Sequence, residues 1–284
     1  MQLLDEGSKS GPVNVSIVVP CLNGGRFVGA ALDSIAAQTA RNAEVIVVDG
    51  GSTDGSVELI REWAESHPSA RWVSEPDRGQ ADAINKGLAL ARGEVVTWLN
   101  ADDLLEPGAV ARAAAAFAAD PALDLVWGFC LVVDPEGAPL YVQNPFVRAD
   151  FAQLRRHRNF VPQPGCFFRR ALIQRFGPLD VSYHFMFDYE FFLRLAGNAQ
   201  ARFIPEVLAR FRIHPGSKTS RRHRDFLREE RRAFRAHGGR LLSPFTLDLW
   251  RYRLISHPLD RIKAPARWLI WKLMGLPAGS RIRP

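Results

Sequence analysis

Two adjacent carboxylates, Asp102 and Asp103, follow an apolar run and could bind a metal ion. Carboxylates at the end of a strand can hold a hard cation such as Mg²⁺ or Mn²⁺, which keeps coordination positions open for phosphate oxygens. Two like charges side by side are costly unless a positive group compensates them. The alternative is that the pair caps a helix beginning at Pro107, where acids are favoured. The spacing leaves both interpretations open.

Three other polar side chains could take part in chemistry. Asp188 lies among aromatic residues, which raise the pKa of a carboxyl and suit a general base, although a helix-dipole role or a pair with Arg194 explains it equally. His214 follows a strand-like run and is either a metal ligand or a structural histidine. Asp49 ends an aliphatic run, where its carboxylate needs a nucleotide base, a ribose or a loop amide as partner.

The elements that position these residues alternate between two hydrophobic periods. Short β-branched runs predict buried strands, and the stretches between them predict helices. The predicted strands span residues 15–20, 44–49, 71–74, 94–99 and 123–133, and the predicted helices span residues 26–37, 56–66, 80–91 and 107–119. This alternation predicts βαβ units and a mostly parallel sheet, with ligands bound outside the carboxyl ends of its strands.

The loops at that edge carry no common nucleotide fingerprint. No GxGxxG follows the first predicted strand, which counts against a dinucleotide site, and the chain has no GxxxxGK[ST], which counts against a phosphate-binding P-loop. Later in the chain a helix is predicted at residues 187–196 and a strand at 201–213, kinked at Pro205. The compact domain is expected to end near Ser217, before a charged helix at residues 221–237.

Composition limits the class of protein. With 284 residues, 47% apolar and 24% charged, the chain is expected to be a soluble globular protein with a large core. Its apolar runs are too short for a membrane span, and its first residues do not resemble a secretory signal. The three cysteines, Cys21, Cys130 and Cys166, are far apart and odd in number, so we expect neither a disulfide framework nor a zinc cluster. This use of cysteine suits a protein of the reducing cytoplasm.

The charge is unevenly distributed. Residues 1–200 hold 17 basic and 24 acidic side chains, whereas residues 201–284 hold 20 basic and 6 acidic ones. Tryptophans such as Trp250, Trp268 and Trp271 interleave with the basic residues near the end, a pattern typical of interfacial helices on anionic lipid. A solvated basic face remains the alternative. Nucleic-acid binding is disfavoured because no known module is present and the body is acidic.

Five motifs occur together in an order that resembles a known family. VSIVVPCLNGGRFVGAALDSI, VIVVDGGSTDGS, SEPDRGQADAINKGLALARGEVVTWLNADD, FDYEFFLRLA and FRIHPGSKTS are similar to the motifs of the inverting glycosyltransferases of family 2, which have the GT-A fold. The resemblance implies an α/β fold with a mostly parallel mixed sheet flanked by helices at residues 15–217. It divides this domain into a nucleotide-binding half (15–134) and an acceptor half (135–217). A tail (1–14) and a basic helical extension (218–284) would flank it.

The resemblance also implies roles for individual residues. Asp188 would be the general base, and Asp102 and Asp103 would hold Mn²⁺ or Mg²⁺, with His214 as a further ligand or diphosphate contact. Asp49 would hydrogen-bond a uracil-like base. The residues expected to bind the nucleotide and the donor sugar are Pro20, Leu22, Asn23, Asp49, Arg78, Asp82 and Asp102. Candidates for the acceptor side are Gln163, Arg169 and Arg170.

The implied activity is metal-assisted transfer of a sugar, expected from a UDP-sugar, to a sugar or lipid-linked acceptor in polysaccharide or glycolipid assembly at the inner face of the plasma membrane. Two departures stand out: Gly50 replaces a second acid that many members carry, and Asn100 occupies the first position of the Asp-x-Asp motif. The alternative is a non-catalytic nucleotide-sugar-binding or scaffold protein. A nucleotidyltransferase is disfavoured because CLNGGR offers only Arg26 to grip phosphate.

Overall fold

The computed structural model of the chain describes residues 13–38, 43–143, 150–218, 223–240 and 246–247. The strands are β1 (Val15–Cys21), β2 (Ala43–Asp49), β3 (Ala70–Ser74), β4 (Val95–Trp98), β5 (Leu104–Leu105), β6 (Leu125–Val133), β7 (Pro139–Gln143), β8 (Cys166–Arg169) and β9 (Ala201–Arg212). The helices are α1 (Val28–Ala36), α2 (Ser56–Glu65), α3 (Gln80–Leu90), α4 (Ala109–Ala119), α5 (Ala171–Phe176), α6 (Phe187–Leu195) and α7 (His223–Ala236).

One nine-stranded sheet forms the middle of the protein. Its order is β3-β2-β1-β4-β8-β6-β9-β5, and β7 pairs with β6. Strands β1 to β4 are parallel, whereas β8 runs antiparallel to both β4 and β6. Every residue of β1 and β4 is buried, because helices cover both faces of the sheet. The predicted mixed α/β sheet flanked by helices is therefore confirmed.

Two hydrophobic cores lie on opposite faces of this sheet. Successive side chains of a strand point to opposite faces, so Val18 joins the core beneath α3 and α6, whereas Ile17 and Val19 join the core beneath α1 and α4. The buried side chains of both cores are aliphatic and aromatic, together with the three cysteines. This packing fixes the carboxyl ends of β1 to β4 at one edge of the sheet, where the candidate site lies.

The predicted elements of the first half agree with the structure to within a few residues, but three strands were not predicted: the two-residue β5, β7 and β8. Strand β8 is a four-residue run beside Pro164 and Gly165, and β7 begins at Pro139, so neither shows a clear alternating pattern. The predicted kink at Pro205 is a bulge: Gly128 pairs with Ile204 and the next residue of β6 pairs with Val207, so Pro205 needs no ladder partner.

Helix α7 extends the core beyond the boundary expected at Ser217. Its Ala233 and Phe234 are buried in the same cluster as α6, so α7 packs as part of the main domain. The tryptophans predicted to form interfacial helices lie outside the described residues. Among the helices that are described, none has the length and apolarity needed to cross a membrane. The three cysteines are buried and unpaired.

Candidate functional site

The loops after β1 and β2 are tied together at the carboxyl edge of the sheet. Asn23 adopts a left-handed backbone, with φ of 51°. Its N–H donates to Ser52 Oγ at 2.7 Å, and its own Oδ1 accepts from the Thr53 N–H at 2.9 Å. Asn23 therefore holds the loop after β2 in place, and its expected contact with a nucleotide stays a prediction. Beside it Leu22 is 58% exposed, whereas Pro20 is buried within β1.

Asp49 is completely buried at the end of β2 and is held by its own loop. Its Oδ2 accepts from the N–H groups of Gly51 and Ser52 at 3.0 and 2.9 Å and from Ser74 Oγ at 2.7 Å, and the Ser52 hydroxyl donates to Oδ1. Burial raises the pKa of Asp49, but these hydrogen bonds outweigh it and hold the pKa below its ordinary value. The loop-amide alternative is thus realised, and a contact from Asp49 to a base stays a prediction.

Gly50 lies against Asp77, which explains the first departure from the family pattern. A Cβ atom at residue 50 would lie 2.3 Å from Asp77 Oδ2, so a side chain there would displace this carboxylate. The other oxygen of Asp77 accepts from the Gly79 N–H at 2.7 Å. The carboxylate missing at residue 50 is therefore replaced in space by one from the loop after β3.

Arg78 and Asp82 form a pair at the start of α3. Arg78 Nη2 lies 2.7 Å from Asp82 Oδ1, and the Arg78 N–H donates to Asp82 Oδ2 at 3.1 Å. These bonds from Arg78 hold the pKa of Asp82 below its ordinary value. The arginine side chain is 74% exposed, so it can turn toward a ligand at the edge of the sheet.

Asp102 and His214 meet although they are far apart in sequence. His214 Nε2 lies 3.0 Å from Asp102 Oδ2, and the two side chains are 15% and 30% exposed. His214 also packs on the Phe27 ring, with centroids 4.6 Å apart. The structure therefore joins two of the three predicted metal ligands in one partly open position.

Asp103 has a different environment from its neighbour. Its side chain is completely buried, Oδ1 accepts from the Arg212 N–H at 3.0 Å and Oδ2 accepts from Asn100 Nδ2 at 2.9 Å. Burial, followed by the charge of Asp102, raises the pKa of Asp103 well above its ordinary value. Both oxygens of Asp103 thus accept hydrogen bonds within the fold, and its coordination of a metal stays a prediction.

The alternative that Asp102 and Asp103 cap the helix predicted to begin at Pro107 is wrong. Helix α4 begins at Ala109 after Gly108, which has a left-handed φ of 77°, and no side chain caps it. Asp102 and His214 bring one carboxylate and one imidazole together, and both side chains are partly exposed. Among the described residues no group of three or more His, Cys, Asp or Glu side chains could hold a metal ion by itself, so further ligands would come from phosphate and water.

A chain of hydrogen bonds that the sequence did not predict links Asn100, beside Asp102 and Asp103 in the chain, to the segment before α6. Lys218 Nζ donates to Gln80 Oε1 at 2.9 Å, and Gln80 Nε2 donates to Asn100 Oδ1 at 2.6 Å. Lys218 Nζ also lies 3.5 Å from the carbonyl oxygen of His184, three residues before α6. Lys218 follows His214 by four residues in HPGSK, and this proximity was the only signal in the sequence.

Asp188 is half-buried in the first turn of α6. Its Oδ1 accepts from the Tyr189 N–H at 2.7 Å, and Asn159 Nδ2 lies 3.4 Å from its Oδ2. Burial is the main cause that raises the pKa of Asp188 to about 6, and the charge of Glu230 adds to it. Arg194 pairs with Glu190, so the predicted alternative partner of Asp188 is engaged elsewhere.

The acceptor candidates separate in the structure. Gln163 is buried and donates to the carbonyl oxygen of Trp98 at 2.7 Å, at the carboxyl end of β4. Arg169 pairs with Val95 at the opposite end of β4 and binds Glu94, and Arg170 donates to the Gly93 carbonyl oxygen at 2.9 Å. The structure thus does not bring Arg169 and Arg170 to the site, because they bind at the amino edge of the sheet.

Comparisons with known proteins agree with this arrangement. Residues 16–177 match the family model of glycosyl transferase family 2. The PGL/p-HBAD biosynthesis glycosyltransferase of Mycobacterium tuberculosis is 31% identical over 217 residues, which cover 75% of this chain and 82% of that protein. An uncharacterized glycosyltransferase of Nostoc sp. is 28% identical over 71% of this chain, and the match spans 65% of the Nostoc protein.

Solved structures share the fold. The mannosyltransferase PcManGT from Pyrobaculum calidifontis, in complex with GDP-Man and Mn²⁺, superposes with a TM-score of 0.66 at 25% identity and covers 96% of this chain and 77% of its own. TarS of S. aureus (residues 1–349) in complex with UDP superposes with a TM-score of 0.61 at 19% identity, covering 92% and 79%. The chain belongs to glycosyltransferase family 2 and has the GT-A fold.

Proposed function

We propose that the protein transfers a sugar from a UDP-sugar to an acceptor hydroxyl, with inversion at the anomeric carbon and Asp188 as general base. The observation that carries this proposal is the position of Asp188: a half-buried carboxyl in the first turn of α6 that accepts from the Tyr189 N–H and faces the Asn159 amide, with a pKa that burial raises to about 6. A base with such a pKa is ionised at neutral pH, yet it has more affinity for a proton than an exposed carboxylate.

The proposed reaction is a single displacement. The acceptor oxygen attacks the anomeric carbon while the bond from that carbon to the diphosphate oxygen breaks. The hydroxyl proton moves to an oxygen of Asp188, and the bonding electron pair leaves with the nucleoside diphosphate. Because attack and departure occur on opposite faces of the sugar, the configuration inverts without a covalent intermediate.

The other residues of the site would bind the donor. Lys218 and Arg78 bring positive charge to the edge where the diphosphate would lie, and both side chains are exposed enough to turn toward it. Leu22 offers an apolar surface to a base or ribose. Support for a nucleotide-sugar donor comes from the solved relatives, which bind UDP, UDP-GlcNAc or GDP-Man.

Asp102 and His214 fit a divalent cation, Mn²⁺ or Mg²⁺, whose shell would be completed by phosphate and water oxygens. Such a cation would act as a Lewis acid toward the negative charge that grows on the diphosphate. The Mn²⁺ in the complex of PcManGT supports this assignment. In this proposal Asp103 orients the Asp102 backbone and the Arg212 strand end, and does not touch the metal.

A ligand screen followed by an activity assay tests the function. Thermal shift is measured with UDP and GDP, each with and without Mn²⁺, since a ligand stabilises only the state that binds it. Release of UDP from UDP-sugars is then followed for the wild type and for Asp188→Asn. We expect stabilisation by UDP with Mn²⁺ and slow UDP release that requires Asp188. Binding without any release, with or without candidate acceptors, would favour the non-catalytic alternative.

We further propose that the protein works at the cytoplasmic surface of an anionic membrane, next to a lipid-linked acceptor. Support comes from the outer face of α7, where exposed arginines include Arg224, Arg228, Arg231 and Arg235. This face belongs to a helix packed against α6, which carries the proposed base. Each arginine of such a cluster contributes about 1 kcal/mol to the free energy of binding to an anionic lipid surface.

Vesicle sedimentation tests this contact. The full chain should pellet with vesicles that contain phosphatidylglycerol and not with pure phosphatidylcholine vesicles. The double variant Arg228→Gln/Arg235→Gln should pellet less, whereas the charge-matched control Arg61→Gln/Arg92→Gln on exposed sites elsewhere should behave like the wild type. Equal sedimentation of both double variants would contradict the assignment of α7.

A further inference from the structure

Glu230 is a buried carboxylate on α7 that the proposed reaction does not use. It is 1% exposed and faces Arg158, whose Nε lies 2.8 and 3.0 Å from the two carboxylate oxygens and whose Nη2 lies 2.8 Å from Oε2. A guanidinium remains charged at every physiological pH, so this pair is a charge-assisted fork. A hydrogen bond from the Asn159 backbone also reaches Glu230.

Through these contacts Glu230 holds the residue that touches Asp188. Arg158 directly precedes Asn159, and the Asn159 side-chain amide faces Asp188 Oδ2 at 3.4 Å. The backbone on the other side of this segment is fixed as well, because the Tyr189 hydroxyl donates to the carbonyl oxygen of His157 at 2.7 Å. The position of the Asn159 amide is therefore set from α7 and from α6.

Glu229, the neighbour of Glu230, binds the backbone that precedes Asp188. Its carboxylate accepts the N–H groups of His184, Phe185 and Met186 at 3.0, 2.7 and 3.1 Å. These are the three residues that lead into α6, and Met186, the N-cap residue, supplies no side-chain cap of its own. A carboxylate from α7 therefore fixes the backbone that leads into α6, including the N–H of the N-cap residue Met186.

We propose that Glu229 and Glu230 are positioning residues for the base: Glu229 fixes the start of α6, and Glu230 fixes Arg158 and Asn159 against the Asp188 carboxylate. This inference rests on the proposed function, since it gives Asp188 the role of base. It gives α7 an indirect part in catalysis, because Glu229 and Glu230 act through the start of α6 and through Asn159. A positioning role of this kind acts on turnover and leaves binding of the nucleotide unchanged.

The charge of Glu230 gives the proposal a readout that a purely structural role lacks. The groups that act on the Asp188 carboxyl are Glu230 of α7, the Asn159 amide of the preceding segment and the buried Cys166 thiol of β8, while Arg158 pairs with Glu230. Removing the negative charge of Glu230 leaves the positive charge of Arg158 uncompensated. Both changes favour the carboxylate form of Asp188, so its pKa should fall.

The experiment is a ¹³C NMR titration of the full chain labelled at aspartate carboxyls, with the Asp188 signal assigned from its absence in Asp188→Asn. In Glu230→Gln the pKa of Asp188 should fall by about one unit from the wild-type value. The matched control is Glu190→Gln, which removes a buried carboxylate that pairs with Arg194 and His237. It should leave the titration unchanged. A wild-type titration in Glu230→Gln, or an equal shift in both variants, would overturn the proposal.

Glu229 provides a second, independent measurement. Glu229→Ala should lower the turnover number for UDP release at least about tenfold while the KM and the UDP dissociation constant stay unchanged. Glu229→Gln keeps an oxygen that accepts N–H groups and should recover most of the loss. An unaffected Glu229→Ala, or parallel losses in binding and turnover, would contradict positioning. Wild-type UDP release by Asp188→Asn would instead contradict the proposed function, and the NMR comparison would still stand.

Discussion

His214 Nε2 lies 3.0 Å from Oδ2 of Asp102, although 112 residues separate them in the chain. The Gly216 N–H points at the other ring nitrogen, Nδ1, at 3.2 Å. This hydrogen-bond pattern assigns the proton to Nε2, which donates to Asp102. A cation bound by Nε2 would need the lone pair of that nitrogen, so the proton would have to move to Nδ1 and the contact with the Gly216 N–H would be lost.

The first prediction tests whether the Asp102 carboxylate binds the proposed cation. Asp102→Asn removes the only exposed carboxylate of the proposed cation position among the described residues while keeping a hydrogen-bond acceptor for His214. We expect the variant to lose the Mn²⁺-dependent part of the thermal shift that UDP produces, with little change in melting temperature without ligand. The measurement is the shift with UDP, with and without Mn²⁺. An undiminished Mn²⁺-dependent part would contradict this placement.

The second prediction concerns Asp103, whose carboxylate accepts hydrogen bonds within the fold. Asp103→Ala leaves the Arg212 N–H and the Asn100 amide without their acceptor, which should lower the free energy of unfolding by about 1–3 kcal/mol. The matched variant is Asp102→Ala, at the exposed neighbouring carboxylate. Urea denaturation should show the larger loss for Asp103→Ala, and equal stability of the two variants would contradict the distinction between them.

The third prediction links stability to the protonation of Asp188. Its pKa is about 6 in the folded protein against an ordinary value of 3.8, so the unfolded chain loses this proton first as the pH rises. The folded state therefore loses stability between about pH 4 and pH 6, and the loss persists above that range. Asp188→Asn cannot ionise and should be about 1–3 kcal/mol more stable than the wild type at pH 7.5.

Denaturation at two pH values checks this sign. The advantage of Asp188→Asn should shrink at about pH 4, where the folded wild type carries the proton and about half of the unfolded chains carry it too. Thermal or urea unfolding at pH 4 and pH 7.5 measures it. An Asn variant that is less stable than the wild type at pH 7.5 would show that the carboxylate is stabilised in the fold.

The fourth prediction tests the close approach of Gly50 and Asp77. Gly50→Ala places a Cβ atom 2.3 Å from Asp77 Oδ2, so the carboxylate must leave its contact with the Gly79 N–H. We expect a loss of about 1 kcal/mol in the free energy of unfolding. In an Asp77→Ala background the same substitution should cost almost nothing, because the colliding group is gone.

A matched control is available in α1. Gly29 has no atom within 4 Å of an added Cβ, so Gly29→Ala should be neutral or slightly stabilising. Additive effects of Gly50→Ala and Asp77→Ala would contradict the close approach. The comparison also tests why a residue with a side chain is absent from position 50.

The sequence was sufficient to predict the parallel part of the sheet, from β1 to β4, and the carboxyl ends of these strands as the place to look for a site. Buried parallel strands are aliphatic and β-branched throughout, and each loop after such a strand contains polar residues at fixed positions. The same pattern could not distinguish Asp102 from Asp103, because adjacent residues share their local sequence. Their different roles follow from contacts with Asn100, Arg212 and His214, which depend on how β9 returns to the edge.

The residues missed by the sequence analysis act through distant partners. Glu229 and Glu230 belong to a strongly charged segment, and a charged segment usually predicts a solvated helix. Only the packing of α7 on α6 shows that these two carboxylates face inward. Arg169 was predicted at the acceptor side from its position in a loose segment, but antiparallel strand β8 carries it to the far end of β4.

The most direct test of the account is the rate of UDP release from a UDP-sugar by the wild type and by Asp188→Asn, measured beside calorimetric titration with UDP in the presence of Mn²⁺. Loss of a general base should reduce the rate by about 10²–10⁴-fold, and the UDP dissociation constant should stay within about twofold. A rate equal to that of the wild type, with UDP still bound, would contradict the assignment of Asp188 as the base.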